Sequence, residues 1–218
     1  MTPSFLIFLV GLLYVVIFWS LSLLRRERLS NQFAYEGLGL TGITFAAVRW
    51  GGMAVHPIYF LVLLYLITMR VRLLIEIGNM LSTWGRHHQA LAVYRLALHL
   101  FPDEPSRLIA LINMGAAFLR QARPDRTIAV LENAKAQIVK QLGPKYAAGC
   151  CYNLGMAYRR TGRHAEALRQ FYEVGDIHPM SPYAKLAEKA RNATLEETGM
   201  TVLVRQEKED PKDSELSP

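Results

Sequence analysis

The fold is decided by residues 147–180, which read AAGCCYNLGMAYRRTGRHAEALRQFYEVGDIHPM. Residues 71–104 follow the same plan and read VRLLIEIGNMLSTWGRHHQALAVYRLALHLFPDE. In both stretches a helical pattern with a central glycine is followed by a Gly-Arg-His turn, a second helical pattern and a proline. Glycine lets two helices approach closely and also ends a helix in a left-handed conformation, while proline stops a helix. The pattern therefore predicts helical hairpins that repeat along the chain.

A less regular copy lies between these two, over residues 109–138. Its central glycine, Gly115, follows Gly78 by 37 residues and precedes Gly155 by 40. We therefore expect its second helix to be extended, to about Gln141. The positions that match among the copies are Gly78, Leu81, Ala90, Tyr94, Ala97 and Pro102, then Gly115, Phe118, Thr127, Leu131 and Ala134, and finally Gly155, Tyr158, Ala167, Phe171, Val174 and Pro179.

These positions resemble the tetratricopeptide-repeat (TPR) family, whose unit of about 34 residues is a helix-turn-helix pair. The resemblance implies an all-α fold: N-terminal transmembrane helices followed by a TPR α-solenoid of about three helix-turn-helix repeats and a capping helix. The boundaries we expect are a membrane domain over 1–69, a TPR array over 70–194 with repeats at about 71–104, 108–141 and 148–181 and a cap at 182–194, and a polar tail of disordered composition over 195–218.

The membrane domain is indicated first by Ser4 to Leu24, a stretch without a single charge. At about 1.5 Å per residue it is long enough to cross the ~30 Å hydrocarbon core of a bilayer. The alternative is a cleaved signal peptide, but the residues before Ser4 include no Lys or Arg, and the apolar run is longer than usual for one. We expect a retained span over about residues 4–24.

Two topologies are open for the rest of this domain. One long span from about Gly42 would bury Arg49 and cross the glycines at 51–52, both unfavourable in lipid. The alternative is a turn at residues 50–52 between spans over about 33–49 and 53–69. This second arrangement puts the arginines at 25–28 and at 70–72 on one side, as the positive-inside rule prefers. It predicts a multi-pass integral membrane protein with a cytoplasmic TPR array.

No helix breaker separates the last apolar stretch from the first repeat between Met69 and Gly78. We therefore expect the last span and the first helix of the repeat to form one continuous helix.

The sequence offers no sign of an enzyme. Residues 37–42 match G-x-G-x-x-G, but no strand precedes them and the next acidic residue, Glu76, is too distant for a dinucleotide site. Close helix packing through small residues explains them better. No catalytic motif or metal-ligand spacing is found, and the net charge of +7 is too dispersed for a nucleic-acid surface. We expect no cofactor, metal, nucleic acid or small-molecule substrate, and two buried free thiols at Cys150 and Cys151.

The TPR resemblance implies a concave groove lined by the first helix of each unit. In that case asparagines would bind the backbone of an extended peptide, and arginines would attract acidic side chains or a C-terminal carboxylate. Ile75 stands where the carboxylate-binding relatives have Lys, so their complete clamp is absent, and ordinary solvated polar residues remain the alternative. The residues expected in the groove are Asn79, Asn113, Arg120, Tyr152, Asn153, Met156, Arg159 and Arg160.

Three functions fit these patterns. The first is a membrane-anchored scaffold that binds a protein or an extended, acidic peptide through the groove. The second is a structural or assembly subunit of a membrane complex with contacts through its transmembrane helices, which the glycine-rich residues 37–46 favour. The third is a transport or assembly factor that uses polar membrane residues, supported only by Arg49 and His56.

Overall fold

The computed structural model describes residues 3–24 and 31–199 of the 218-residue chain. Helices make up most of these two ranges, and no strand occurs in them. The chain divides into two compact units, residues 1–113 and 114–218, with the boundary inside one helix. The helices are α1 (Pro3–Leu24), α2 (Asn31–Trp50), α3 (Pro57–Thr68), α4 (Arg70–Thr83), α5 (His87–His99), α6 (Glu104–Arg120), α7 (Pro124–Gln141), α8 (Pro144–Arg160), α9 (His164–Ile177) and α10 (Pro182–Glu197).

In the first unit, α1, α2 and α3 pack around an apolar cluster. Close approach of α1 and α2 depends on Gly11, where an added Cβ would lie 2.2 Å from Thr41 Oγ1. A hydrogen bond of 2.6 Å between the hydroxyls of Tyr14 and Thr68 joins α1 to the end of α3. The buried side chains of this cluster, called here the α1–α3 cluster, are Ile7, Tyr14, Val15, Phe33, Phe60, Leu64 and Met69.

By length and composition, α1 is the one single helix among the described residues that could cross a membrane, through Ser4–Leu21. A signal sequence near an N-terminus has the same character. α3 and α4 pass the same test only as a pair, and they are bent by 68°. α2 contains the second expected span, residues 33–49, but does not pass because Glu36, Arg49 and its glycines dilute its apolar residues. The basic residues at 25–28 lie outside the described ranges.

The expectation of one continuous helix through Met69 is wrong. α3 ends at Thr68, and Met69, with φ −100° and ψ 5°, leaves the helical conformation before α4 begins at Arg70. The sequence contains no proline or glycine here, so the cause of the bend must be sought in tertiary contacts.

Arg70 supplies those contacts. Its Nη1 donates to Glu36 Oε2 at 2.5 Å and its Nη2 to Glu36 Oε1 at 2.9 Å, which ties the bend to α2. Its Nε donates to the backbone oxygen of Leu100 at 3.1 Å, just beyond the end of α5. Gln32 reinforces this junction by donating to the backbone oxygen of Phe101 at 2.8 Å. The guanidinium thus satisfies carbonyls that the end of a helix leaves without partners, and it does so in a chain that bends at Met69.

The bend should therefore depend on Arg70 and not on its neighbour Arg72, which is exposed. We expect Arg70→Gln to broaden the distance distribution between spin labels at Tyr59→Cys in α3 and Thr83→Cys in α4. Arg72→Gln should leave it as narrow as in the parent. A narrow, unshifted distribution in Arg70→Gln would mean that apolar packing alone holds the bend.

In each repeat, the two helices approach each other closely at a glycine. A Cβ at Gly78 in α4 would lie 2.3 Å from Tyr94 of α5, and one at Gly155 in α8 would lie 2.5 Å from Phe171 of α9. The same position in α6, Gly115, would meet Leu131 of α7 at 2.7 Å. These approaches explain why a small residue faces a bulky one in every copy of the pattern.

Two glycines of the third repeat give a matched test of this packing. Gly155→Ala forces a methyl group onto Phe171, so we expect the free energy of unfolding to fall by about 1–3 kcal/mol. Gly175→Ala lies in helix α9, where an added Cβ meets nothing within 4 Å. It should gain up to about 1 kcal/mol from helix propensity. Urea unfolding followed by circular dichroism measures both, and equal stability of the two variants would contradict the close approach.

The second unit ends in α10, which packs against α8 and α9. Ser181 caps this helix by accepting a hydrogen bond of 3.0 Å from the backbone N–H of Ala184. Tyr183 packs over Gly149 of α8, where an added Cβ would lie 3.2 Å from its ring. The helix ends at Glu197, beyond the residue 194 expected for the cap, and the rest of the expected tail after Gly199 lies outside the described ranges.

Candidate functional site

Helix α8 has two different faces. One is fully used in packing: Cys151, Leu154, Gly155 and Tyr158 are buried among the neighbouring helices. The other carries Tyr152, Asn153, Met156 and Arg159, all of intermediate exposure. Residues three and four apart lie on the same side of a helix, so these four side chains form one continuous strip. We call it the α8 strip.

Tyr152 is the rigid part of the strip. Its ring centroid lies 6.4 Å from that of Phe171 and 5.8 Å from that of Tyr183 on α10. Burial raises the pKa of its hydroxyl, so Tyr152 is neutral at physiological pH and serves as an apolar wall with a polar tip.

Asn153 and Met156 form the middle of the strip. The Asn153 side chain has no hydrogen-bond partner within the described residues, and it keeps an amide donor and an amide acceptor free for a ligand. Met156, one turn further, adds a flexible apolar surface of the kind that adapts to different side chains.

Arg159 ends the strip and is already paired. Its Nε donates to Glu197 Oε2 at 3.0 Å, and its Nη2 donates to the other carboxylate oxygen, so the contact is two-pronged. These hydrogen bonds lower the pKa of Glu197 below its ordinary value, and the carboxylate is ionised at neutral pH. Sequence reasoning missed Glu197 because it lies beyond the expected end of the cap. The uninterrupted helical pattern to residue 197 was the available signal.

Arg160, which is exposed, makes a hydrogen bond within the chain. Its Nη1 donates to the backbone oxygen of Leu119, in the last turn of α6. It therefore satisfies a carbonyl at a helix C-terminus, where a positive charge is also favoured by the helix dipole. One nitrogen of this guanidinium therefore has the preceding helix as its partner.

The remaining expected groove residues lie on other helices. Asn79 in α4 uses its Oδ1 to accept a 2.8 Å hydrogen bond from the hydroxyl of Tyr94 in α5, so it helps to close the first repeat. Asn113 in α6 is of intermediate exposure, and Arg120 is exposed at the end of that helix. Asn113 is the last residue of the first compact unit, whereas Arg120 and the α8 strip belong to the second unit.

On its packed side, α8 meets a polar network from α7 and α9. Lys135 donates to Gln170 Oε1 at 3.0 Å and to Glu173 Oε2 at 2.5 Å. Cys150 and Cys151 are fully buried next to this network, and burial raises the pKa of each thiol to about 12. Both thiols are therefore protonated and shielded, which makes them poor nucleophiles.

The chemistry of these groups is that of polar and apolar side chains available for contact. Within the described residues, no cluster of three or more His, Cys, Asp or Glu side chains could hold a metal ion. The α8 strip combines one aromatic wall, one free amide, one adaptable thioether and one exchangeable cation. Such a set has the donors, acceptors and apolar surface that contact with a polypeptide would use.

Comparison with known protein families identifies the repeats. A tetratricopeptide-repeat model matches residues 71–104, and a second matches residues 106–177. The helical hairpins over these residues are therefore similar to tetratricopeptide repeats, and proteins with such repeats generally bind other proteins. A comparison with curated proteins finds no match to the chain.

Proposed function

We propose that this chain is a membrane-anchored scaffold that binds an extended segment of a partner protein along the α8 strip. The matches to tetratricopeptide-repeat models over residues 71–104 and 106–177 support this proposal. The observation that carries the proposal is the half-exposed row Tyr152, Asn153 and Met156 on a helix whose opposite face is fully buried. Asn153 can donate to one peptide group and accept from the next, as an extended backbone requires.

The Arg159–Glu197 pair supports an acidic partner. Both side chains are partly exposed, at 23% and 49%, and such pairs add little to stability because water screens them. A carboxylate of the partner, from an acidic side chain or a free C-terminus, could therefore replace Glu197 on the same guanidinium prongs. The exchange gives a preference for acidic segments without leaving Arg159 unpaired in the free protein.

This scaffold function can be tested by capturing partners in native membranes with a photo-crosslinking amino acid at Met156. Asn153→Ala should reduce the crosslinked yield by roughly tenfold, because a lost contact to a backbone group costs about 1–3 kcal/mol. Glu197→Gln should increase the yield by a few-fold, since the carboxylate that competes for Arg159 is removed.

The matched control is Asn133→Ala, which removes an exposed asparagine from α7 whose side chain donates only to Ala129 of its own helix. It should leave the yield unchanged. If Asn153→Ala retains the parent's crosslinks at full yield while its melting temperature is unchanged, the α8 strip is not the binding surface.

Membrane anchoring is supported by the outer faces of α1, α2 and α3. Leu13 is 54% exposed, Ile43 70% and Tyr59 76%, and large contiguous apolar surfaces of this kind are rare on water-soluble proteins. We propose that α1 spans the bilayer, that α2 and α3 enter it as a hairpin turned at residues 51–56, and that the repeats lie on the cytoplasmic side. The positive-inside rule supports that orientation through the arginines at 25–28, 70 and 72.

The second candidate function, a structural or assembly subunit, is favoured by one observation on α2. Gly37 and Thr41 already face α1, but an added Cβ at Gly39 or at Gly42 would meet nothing within 4 Å. The open glycines leave room for the backbone of another helix to come close.

A bulky side chain in place of Gly42 distinguishes the two candidate functions. If the helices make the contacts, Gly42→Leu should abolish a detergent-stable complex on native gels, whereas Ile43→Leu, at an exposed neighbour, should not. In that case Asn153→Ala would have no effect on the complex. A complex that survives Gly42→Leu rules out this face of α2 as an interface.

A further inference from the structure

The first repeat has an apolar face that its own helices do not cover. Val71, Ile75 and Gly78 of α4 point into the repeat and are buried. On a different side of the same helix, Ile77 is 43% exposed, Met80 44% and Trp84 63%. With Leu73 these residues are spaced i, i+4, i+7 and i+11, so all four lie within an arc of about 60°. We call them the α4 stripe.

The α4 stripe begins at the α1–α3 cluster. Leu73 packs, partly buried, against that cluster, which belongs to the helices proposed to enter the bilayer. From Leu73 onward the side chains become more exposed, from 43% at Ile77 and 44% at Met80 to 63% at Trp84. The lipid or protein that contacts the outer faces of α1 to α3 can therefore also contact Ile77, Met80 and Trp84.

The bend at Met69 sets the direction of this helix. α3 and α4 meet at 68°, so a steep α3 puts α4 closer to the membrane plane than to the membrane normal. A helix that leaves a membrane in this direction stays near the headgroups along its whole length. An unbent helix would have carried the stripe into water.

The composition around the α4 stripe also fits a lipid surface. Arg72 and Arg86, both exposed, accompany it, with Glu76 as the acidic residue of α4 and Arg70 paired with Glu36. A basic helix with an apolar stripe is the usual form of a segment that lies in the interface, and tryptophan favours that depth. Basic residues also attract the anionic lipids of a cytoplasmic leaflet.

We propose that α4 is an interfacial helix, with the α4 stripe seated in the headgroup and upper acyl region of an anionic bilayer. The repeat unit thereby has a second function as a membrane-binding element. The first repeat of an array needs a cover for the face to which no earlier repeat is joined, and lipid supplies that cover. This inference rests on the membrane anchoring proposed above.

The test uses the full-length protein in vesicles of phosphatidylcholine and phosphatidylglycerol, with a bimane dye on single added cysteines. The native thiols are buried and protonated, so they do not compete for the dye. Met80→Cys probes the stripe, and Thr83→Cys probes an exposed position of the same helix about 90° away from it. Leu13→Cys in α1 reports on anchoring itself.

We expect a nitroxide lipid labelled high on its acyl chain to remove most of the fluorescence at Met80→Cys and little at Thr83→Cys. Aqueous iodide should give the reverse order. Leu13→Cys should be quenched by a nitroxide deep in the acyl region.

The outcomes separate the two proposals. If Leu13→Cys resists every lipid quencher, membrane anchoring fails and the interfacial helix fails with it. If Leu13→Cys is quenched but Met80→Cys is open to iodide, only the interfacial helix is overturned. If Met80→Cys is shielded from iodide and from lipid alike, protein covers the stripe and the lipid assignment is also overturned.

Discussion

The arrangement of the first unit depends on one guanidinium. Arg70 links Glu36 of α2, the bend after α3 and the carbonyl of Leu100 beyond α5, so three separate parts of the chain share a single side chain. The side chains of Arg70 and Glu36 are only about one-quarter exposed, and hydrogen bonds between charged groups are the stronger kind in such surroundings. The direction of α4, and with it the orientation of the first repeat, follows from these bonds.

Packing inside the repeats could be predicted from the sequence because its partners are local. Gly78 faces Tyr94 and Gly155 faces Phe171, and in both pairs the partner comes 16 residues later in the same hairpin. A helix-turn-helix pair brings such positions together through its own geometry, so residue type and spacing are sufficient. The family matches over residues 71–104 and 106–177 confirm this part of the prediction.

The bend at Met69 could not be predicted in the same way. No breaker marks it, and the contact that accompanies it joins Arg70 to Glu36, residues that lie 34 positions apart on different helices. The α8 strip shows the same limit. Its half-exposed residues follow from helical periodicity, but the pairing of Arg159 with Glu197 depends on how α10 packs, which spacing within α8 does not determine.

Arg159 and Arg160 show how one helical step changes the chemistry that a residue performs. Successive residues on a helix point about 100° apart. Arg159 therefore reaches the carboxylate of Glu197, while Arg160 turns back to the carbonyl of Leu119 and stabilises the end of α6. A carboxylate from a partner can exchange with another carboxylate, but it cannot replace a backbone carbonyl without leaving a helix end unsatisfied. Of the two adjacent arginines, Arg159 is the one whose contact a partner's carboxylate could take over, and the proposed preference of the α8 strip for acidic segments depends on that contact.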